Sequence, residues 1–211
     1  NFQNSQDPAI IYKKNLLREI LKKNVTLIDY ENIRDKSKEA FRYLGFGRFA
    51  GIVGCYNTLN LYLKLNKKKL LPRAFEINSY EKIKKLIANQ NFSKLKILQT
   101  GTGNVAKGSM EILKYANIKE ISLEDYLNKK YDDSVFCNIS IREHLERKDG
   151  KDFSYQDFII NPHKYESKVK NYLLNTDILI TGHYWNPKFP KLFYQNQIKE
   201  FKNLKIIGDI T

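Results

Sequence analysis

The stretch KILQTGTGNVAKGSMEIL, from Lys96 to Leu113, decides the fold and the function that this sequence predicts. It opens with apolar residues typical of a buried strand and then passes two closely spaced glycines, Gly101 and Gly103. From Asn104 onward the apolar residues recur at helical spacing. A strand, a glycine turn and a helix in this order form either a dinucleotide-binding turn or an ordinary connection.

The glycine spacing favours the dinucleotide-binding turn. Gly101-x-Gly103-x-x-Ala106 matches the motif with Ala as a permitted third residue. Gly101 would make the tight turn at the carboxyl end of the strand, and Gly103 would let the backbone approach a diphosphate. The free N–H groups at the start of the next helix favour anionic groups. We therefore expect NAD or NADP to bind here.

An acidic residue about 20 residues after such a motif is expected to bind the cofactor ribose. Glu124 lies near this position, after a predicted strand. A carboxylate there repels a 2′-phosphate, so Glu124 favours NAD over NADP. The same segment also fits a helix start, with Ser122 as N-cap and Asp125 as the third helical residue, in which case Glu124 has no ligand.

Strands alternate with helices on both sides of the motif. We predict strands at 95–99, 118–122, 134–139, 177–181 and 204–209. We predict helices at 79–89, 104–116, 123–129, 164–173 and 192–201. Alternation with short connections is typical of an open, doubly wound parallel sheet of the Rossmann type. The polar segment 141–163 interrupts it, and such a segment is either functional or disordered.

The N-terminal part is organised differently. We predict a helix from Ile11 to Lys22, a strand from Val25 to Tyr30, a loop from Asn32 to Glu39 and a long helix ending near Leu65. The chain begins with Asn and stops at the end of a predicted strand. We therefore expect a piece of a longer protein.

Composition argues against several classes of protein. The formal net charge is +14, but the lysines are spread along the chain, so we expect a solvated basic surface and no nucleic-acid partner. No apolar run reaches the roughly 18 residues that cross a membrane. The two cysteines, Cys55 and Cys137, lie far apart, which argues against a disulfide scaffold and a metal site. They suit the reducing cytoplasm.

Four stretches resemble a known enzyme family in their order and spacing. They are TLIDYE (26–31), FGRFAGIVGCYN (46–57), TGTGNVAKG (100–108), and ERKDG with NPHKYES and DILITGHYWNPKFPKLF (146–193). Together they resemble the lysine-forming saccharopine dehydrogenases, most closely the lysine–ketoglutarate reductase domain of bifunctional lysine-degrading enzymes, which is similar to alanine dehydrogenase. The resemblance covers nearly the whole chain. It implies hydride transfer at a carbon–nitrogen bond that interconverts saccharopine with lysine and 2-oxoglutarate, using NAD or NADP.

The resemblance also implies two α/β domains. Residues 1–46 would be the C-terminal part of an N-terminal substrate domain, and residues 47–211 a truncated dinucleotide-binding domain. The acid/base pair of the family, a lysine and a histidine, has no counterpart in this sequence, and we expect it upstream of Asn1. We therefore expect these residues alone to bind the cofactor without turnover.

Site residues follow from the resemblance by position. Glu31 would face an ammonium group of the substrate, Arg42 would contact substrate carboxylates, and Phe46 would line the cleft. The cofactor would contact Gly101, Thr102, Gly103, Asn104, Val105, Glu124, Gly182, His183, Tyr184 and Asp209.

The three histidines are expected to have no proton-transfer role. Relatives tend to carry an apolar residue where this chain has His183, so a packing role or a place at the cofactor edge is expected. His144 and His163 are expected at the surface.

Two other functions stay open at this point. One is another amino-acid dehydrogenase on the same scaffold, similar to alanine dehydrogenase. The other is a basic binding protein that keeps the fold without the reaction. The sequence also leaves open the direction of the reaction, the choice between NAD and NADP, and the oligomeric state, a homo-oligomer included.

Overall fold

The structure is a computed structural model that describes residues 8–30, 33–35, 38–42 and 44–210. The chain divides into two compact units, residues 1–45 and residues 46–211. Each unit is described by itself. Their assignment as the end of a substrate domain and a dinucleotide-binding domain stays a prediction.

The described residues of the first unit include a helix and a pair of short strands. Helix α1 spans Pro8–Lys22, and strand β1 (Arg34–Asp35) pairs antiparallel with β2 (Lys38–Arg42). The predicted loop at 32–39 was therefore wrong, because it holds β1 and the start of β2. The strand predicted at 25–30 was also wrong, since residues 25–29 have no regular structure and Ile28 is 75% exposed. β-branched residues favour a strand only where pairing and burial support it.

The second unit alternates strands and helices. It begins with α2 (Gly47–Leu65), α3 (Tyr80–Ala88), β3 (Lys96–Thr100), α4 (Asn104–Tyr115), β4 (Lys119–Glu120), α5 (Leu123–Asn128) and β5 (Val135–Ile139). It continues with α6 (Ile141–His144), β6 (Leu145–Arg147), α7 (Tyr155–Ile160), β7 (Tyr165–Ser167), α8 (Val169–Leu173), β8 (Ile178–Thr181) and β9 (Ile206–Asp209). Short 3-10 helices lie at Ala74–Glu76, Pro162–Lys164 and Gln195–Glu200.

Five parallel strands form one sheet in the order β4-β5-β3-β8-β9. This confirms the predicted Rossmann-type α/β fold. Thr100 at the end of β3 lies opposite Ile139 of β5 and Thr181 of β8, so the three strands end at one edge. Strand β4 follows β3 in sequence but does not pair with it, because β5 lies between them.

The sheet is covered on both faces. Ile97 packs with Leu59 of α2 and Ile112 of α4 in one apolar core. The next residue, Leu98, points to the other face and packs with Tyr126 of α5 and Leu173 of α8. Adjacent residues of a strand face opposite sides, so β3 is buried on both.

The polar segment after β5 is ordered. Strands β6 and β7 form a two-stranded antiparallel sheet, and Phe158 packs with Leu145 and Tyr165 in a third, small core. Arg147 pairs with Asp149 at 2.8 Å and with Asp157 at 2.6 Å.

Two predicted helices were only partly correct. The helix predicted at 164–173 is replaced by β7 and the short α8, and a 3-10 helix occupies part of the one predicted at 192–201. Apolar residues at helical spacing do not distinguish these short elements from one continuous helix. Among the helices that the structure describes, none has both the length and the apolar character needed to cross a membrane.

Helices α2 and α4 approach each other backbone to backbone. A Cβ added to Gly51 would overlap the carbonyl oxygen of Val105, and a Cβ added to Gly108 would overlap that of Arg48. Beside this crossing, the Arg48 guanidinium donates two hydrogen bonds to the Glu111 carboxylate, at 2.6 and 2.5 Å. Only glycine at both positions permits the two helix backbones to lie this close together.

We predict that Gly51→Ala and Gly108→Ala each lower the free energy of unfolding by roughly 1–3 kcal/mol or more, the usual cost of overpacking a tight contact. Urea denaturation monitored by circular dichroism measures this. Gly103→Ser is the matched control, because a Cβ at Gly103 meets no atom within 4 Å. Equal stability of all three variants would show that the two helices separate without penalty.

Candidate functional site

The turn between β3 and α4 lies at the carboxyl edge of the sheet. Gly101 has φ +105°, a conformation that side chains rarely adopt. Its N–H donates to the Ile139 carbonyl at 2.9 Å. A Cβ added to Gly101 would lie 2.6 Å from the Gly182 carbonyl oxygen. The first glycine of the motif is therefore required by geometry, between the ends of β5 and β8.

The second glycine leaves the start of α4 open. Gly103 is the N-cap residue, is exposed, and has no side chain to occupy the first N–H groups of the helix. A Cβ at this position would meet no atom within 4 Å. The turn thus presents uncapped N–H donors to open space, which is the arrangement that binds phosphate groups.

A buried side chain fixes the direction of α4. Gln99 of β3 is fully buried and donates from Nε2 to the Ala106 carbonyl at 2.9 Å. The Ser109 hydroxyl donates to Gln99 Oε1 at 2.6 Å. Both bonds join the first turns of α4 to the strand, so the start of the helix stays at the carboxyl edge.

A cavity of about 300 Å³ opens beside the glycine turn. The turn, the end of β8 and the α6–α7 segment form its walls. Its lining residues include Gly101, Thr102, Gly103, Ile141, His144, Tyr155, Phe158, Gly182, His183 and Tyr184. The structure therefore brings together the predicted cofactor residues of the glycine turn and those at the end of β8. The polar segment 141–163 supplies a further wall of the same cavity.

A second hollow of about 270 Å³ lies at the ends of β8 and β9. Asp209 lines it together with Trp185, and the Thr181 hydroxyl donates to Asp209 Oδ1 at 2.6 Å. His183 borders both hollows. Asp209 is thus separated from the glycine turn by the end of β8.

Two histidines lie close together at the wall of the cavity beside the glycine turn. The ring of His144 is 5.2 Å from that of His183, and His183 Nδ1 is 2.6 Å from the Thr100 hydroxyl. His144 is only 3% exposed, and its Nδ1 is the buried polar side-chain atom that has no hydrogen-bond partner within the described residues. Burial lowers the pKa of His144 to about 3, with a further contribution from His183. Burial also lowers the pKa of His183, against the opposing effect of Asp209.

The expected surface position of His144 was wrong, whereas His163 is exposed as predicted. Sequence reasoning also missed Tyr155 and Phe158, which line the cavity. The apolar and aromatic residues within the polar segment were the signal for a small core there. Such a core also buries residues next to it, as it does His144 beside Leu145.

Glu124 does not lie where the motif spacing places a ribose-binding residue. It is an exposed residue in the first turn of α5, after β4, and β5 separates β4 from β3. The Ser122 hydroxyl accepts the Asp125 N–H at 3.1 Å, as the alternative helix start predicts. The argument for NAD from the Glu124 carboxylate therefore loses its geometric basis.

The structure describes the three predicted substrate residues to different extents. Phe46 begins the second unit and is 62% exposed. Arg42 ends β2 in the first unit, where the structure describes its backbone, and Glu31 lies outside the described residues. Their roles stay predictions.

We predict that the free energy of unfolding falls between pH 7 and pH 5. The folded pKa of His144 is lowered from 6.5 to about 3, so the unfolded state binds more protons below pH 6.5. The stabilisation by neutral His144 is complete above that pH and is lost as the pH falls, at up to about 1.4 kcal/mol per pH unit.

Urea denaturation at several pH values tests this prediction. His144→Gln should flatten the dependence, and His163→Gln, at an exposed histidine, should leave it unchanged. The same slope in the wild type and in His144→Gln would contradict the assignment.

Comparison with known proteins gives a consistent set of relatives. No protein-family model matches this chain. The chain is 28% identical to alpha-aminoadipic semialdehyde synthase of Arabidopsis thaliana, over 93% of this chain and 22% of that protein. It is 30% identical to the mitochondrial alpha-aminoadipic semialdehyde synthases of Bos taurus, over 84% of this chain and 21% of the relative, and of Mus musculus, over 84% and 22%.

The chain spans about a fifth of the length of these curated relatives. A solved L-alanine dehydrogenase superposes with a TM-score of 0.44 at 12% identity, over 94% of this chain and 46% of that one. The curated matches confirm the resemblance that the four sequence motifs indicate. The chain is a homologue of one segment of the alpha-aminoadipic semialdehyde synthases.

Proposed function

We propose that the protein is an NAD(P)-dependent oxidoreductase of the saccharopine dehydrogenase type, which interconverts saccharopine with lysine and 2-oxoglutarate. One observation carries the proposal. The uncapped start of α4 at Gly103 faces open space beside a cavity of about 300 Å³, at the carboxyl edge of a parallel sheet. Open α/β sheets bind their ligands at this edge. The similarity to alpha-aminoadipic semialdehyde synthases supports the choice of reaction.

The residues of the turn fit a dinucleotide diphosphate. The backbone of Gly101, Thr102, Gly103, Asn104 and Val105 would hold it through N–H donors, because no side chain obstructs Gly103. When bound, the nicotinamide cofactor supplies hydride transfer at the carbon–nitrogen bond. The protein would hold the cofactor in position and surround it with a surface of defined polarity.

The end of β8 would border the ribose or nicotinamide. Gly182, His183 and Tyr184 line the cavity, and Asp209 lies in the adjoining hollow. Because burial lowers the pKa of His183 and Thr100 occupies its Nδ1, we assign His183 a place at the cofactor edge rather than proton transfer.

The substrate side of the proposal rests on the resemblance. Arg42 would contact substrate carboxylates, since a guanidinium binds a carboxylate through two parallel hydrogen bonds. Glu31 would face an ammonium group, and Phe46 would line the cleft. The thiols of Cys55 and Cys137 are free and buried, which suits a reducing compartment, and we propose the cytoplasm.

We predict that Gly103→Ser weakens binding of both NADH and NADPH by about tenfold or more. A serine hydroxyl at the N-cap accepts a hydrogen bond from a backbone N–H of the first turn, and the diphosphate needs that N–H. The same bond stabilises the start of the helix. Isothermal titration calorimetry measures the affinity, and urea denaturation checks that stability is kept. A stable variant with unchanged affinity would place the diphosphate elsewhere.

The reaction is tested with the full-length protein. We expect NADH or NADPH to be oxidised only when lysine and 2-oxoglutarate are both present. Oxidation with pyruvate and ammonia instead would favour the alanine dehydrogenase-like alternative. A folded sample that binds neither dinucleotide would overturn the proposed function as a whole.

A further inference from the structure

We propose that a basic and apolar patch at the end of α2 docks the protein on the surface of an anionic membrane. The patch consists of Lys64, Leu65, Lys67, Lys68, Lys69, Leu70, Arg73 and Phe75. It lies outside the cofactor site, so the inference goes beyond the proposed function and does not depend on it.

The patch carries a positive charge that its surroundings do not neutralise. Between Asn60 and Asn78 the sequence holds five cationic side chains and one carboxylate, Glu76, which leaves a net charge of +4. All five cations are exposed, and none forms an ion pair with a residue that the structure describes. The Glu76 carboxylate accepts the backbone N–H of Arg73 at 2.9 Å. The charge of the patch is therefore available to an anionic partner.

Three large apolar side chains are exposed among these cations. Phe75 is 79% exposed, Leu65 56% and Leu70 48%. The Arg73 guanidinium carbon lies 6.0 Å from the centre of the Phe75 ring. Leu70 lines one hollow together with Glu76, the neighbour of Phe75 in sequence. Charge and apolar surface thus lie side by side, and a group of exposed apolar residues marks a surface of interaction.

Buried anchors hold this segment in place. Leu71 and Ile77 belong to the apolar core beneath α2. The Asn60 side chain of α2 bonds both the N–H and the carbonyl of Leu71, at 3.0 Å each. The Tyr56 hydroxyl donates to the Pro72 carbonyl at 2.6 Å. Because the loop is fixed to α2 and to the core at these residues, the side chains between them are presented together to the solvent.

An anionic bilayer matches both halves of the patch. Lysine and arginine bind to the negative surface of such a membrane, and projecting aromatic and aliphatic side chains insert between the headgroups and the acyl chains. A nucleic acid would bind the cations but leave Leu65 and Leu70 in water. A second copy of the chain would place cations against cations across a two-fold interface.

The patch is distant from the glycine turn. Gly51 of α2 packs against Val105 in the first turn of α4. Leu65 ends the same helix, about 20 Å further along its axis. A membrane bound at the patch would therefore leave the turn open to the cofactor.

Co-sedimentation with lipid vesicles tests the charge of the patch. We expect the protein to bind vesicles that contain phosphatidylserine about tenfold or more tightly than vesicles of phosphatidylcholine alone. The double variant Lys67→Gln/Lys69→Gln should lose about tenfold or more of this affinity, since each cation near an anionic surface strengthens binding roughly fivefold. Lys199→Gln/Lys202→Gln is the matched control, because it makes the same charge change at exposed lysines beside Phe201, which packs on the opposite face of the sheet.

Phe75 tests the apolar half of the patch. In Phe75→Trp, brominated acyl chains should quench the added tryptophan, with the wild-type Trp185 as background. Phe75→Ser should weaken binding to the anionic vesicles by about threefold or more. Urea denaturation should give wild-type stability for this variant, because the ring is exposed.

Several results would overturn the proposal. They are equal binding to the two kinds of vesicle, binding to neither, and equal weakening in the patch variant and its control, which would assign the binding to net charge alone. Sedimentation without quenching in Phe75→Trp would remove the apolar contact. Binding of single-stranded RNA that only the patch variant loses, without vesicle binding, would assign the patch to nucleic acid instead. Calorimetry with NADH on the same samples reports the proposed function separately, and we expect the patch variants to keep that affinity.

Discussion

The backbone contact between α2 and α4 is the constraint on which the rest of the site depends. Gly51 of α2 packs against the Val105 carbonyl in the first turn of α4. From the other side, Gln99 of β3 donates to the Ala106 carbonyl, one residue further along. The first turn of α4 is therefore clamped between a helix and the central strand. An anion site made of backbone N–H groups has no side chain to adjust, so its position depends entirely on such packing.

The carboxyl edge of the sheet combines this rigid turn with a wall supplied by an insertion. The end of β8 meets the turn at Gly101 and Gly182, and Thr100 orients the His183 ring. The insertion between β5 and α8 has its own small aromatic core and its own ion pairs around Arg147. It places Tyr155 and His144 at the cavity, and Tyr172 of the main core donates to the Glu143 carbonyl beside His144 at 2.7 Å. Functional residues commonly lie on such connections, held by a rigid scaffold.

The strand order changes what the dinucleotide motif implies. The expectation of an acidic residue about 20 positions after the glycines assumes that the next strand pairs beside the motif strand. Here β5 takes that place and β4 lies outside it. Glu124 consequently lies two strands away from the turn, although its spacing in sequence is nearly that of the motif. A spacing rule of this kind holds only where the order of the strands is kept.

Much of the fold was determined by the sequence alone. The apolar runs of β3, β5, β8 and β9, the glycine turn and the Ser122 helix cap follow from local physical chemistry, because each involves neighbours along the chain. The tertiary structure alone decided the pairing of β5 with β3, the burial of His144 and the absence of the strand predicted at 25–30. Strand pairing and burial depend on groups that are distant in sequence, and no local pattern specifies which distant group comes near.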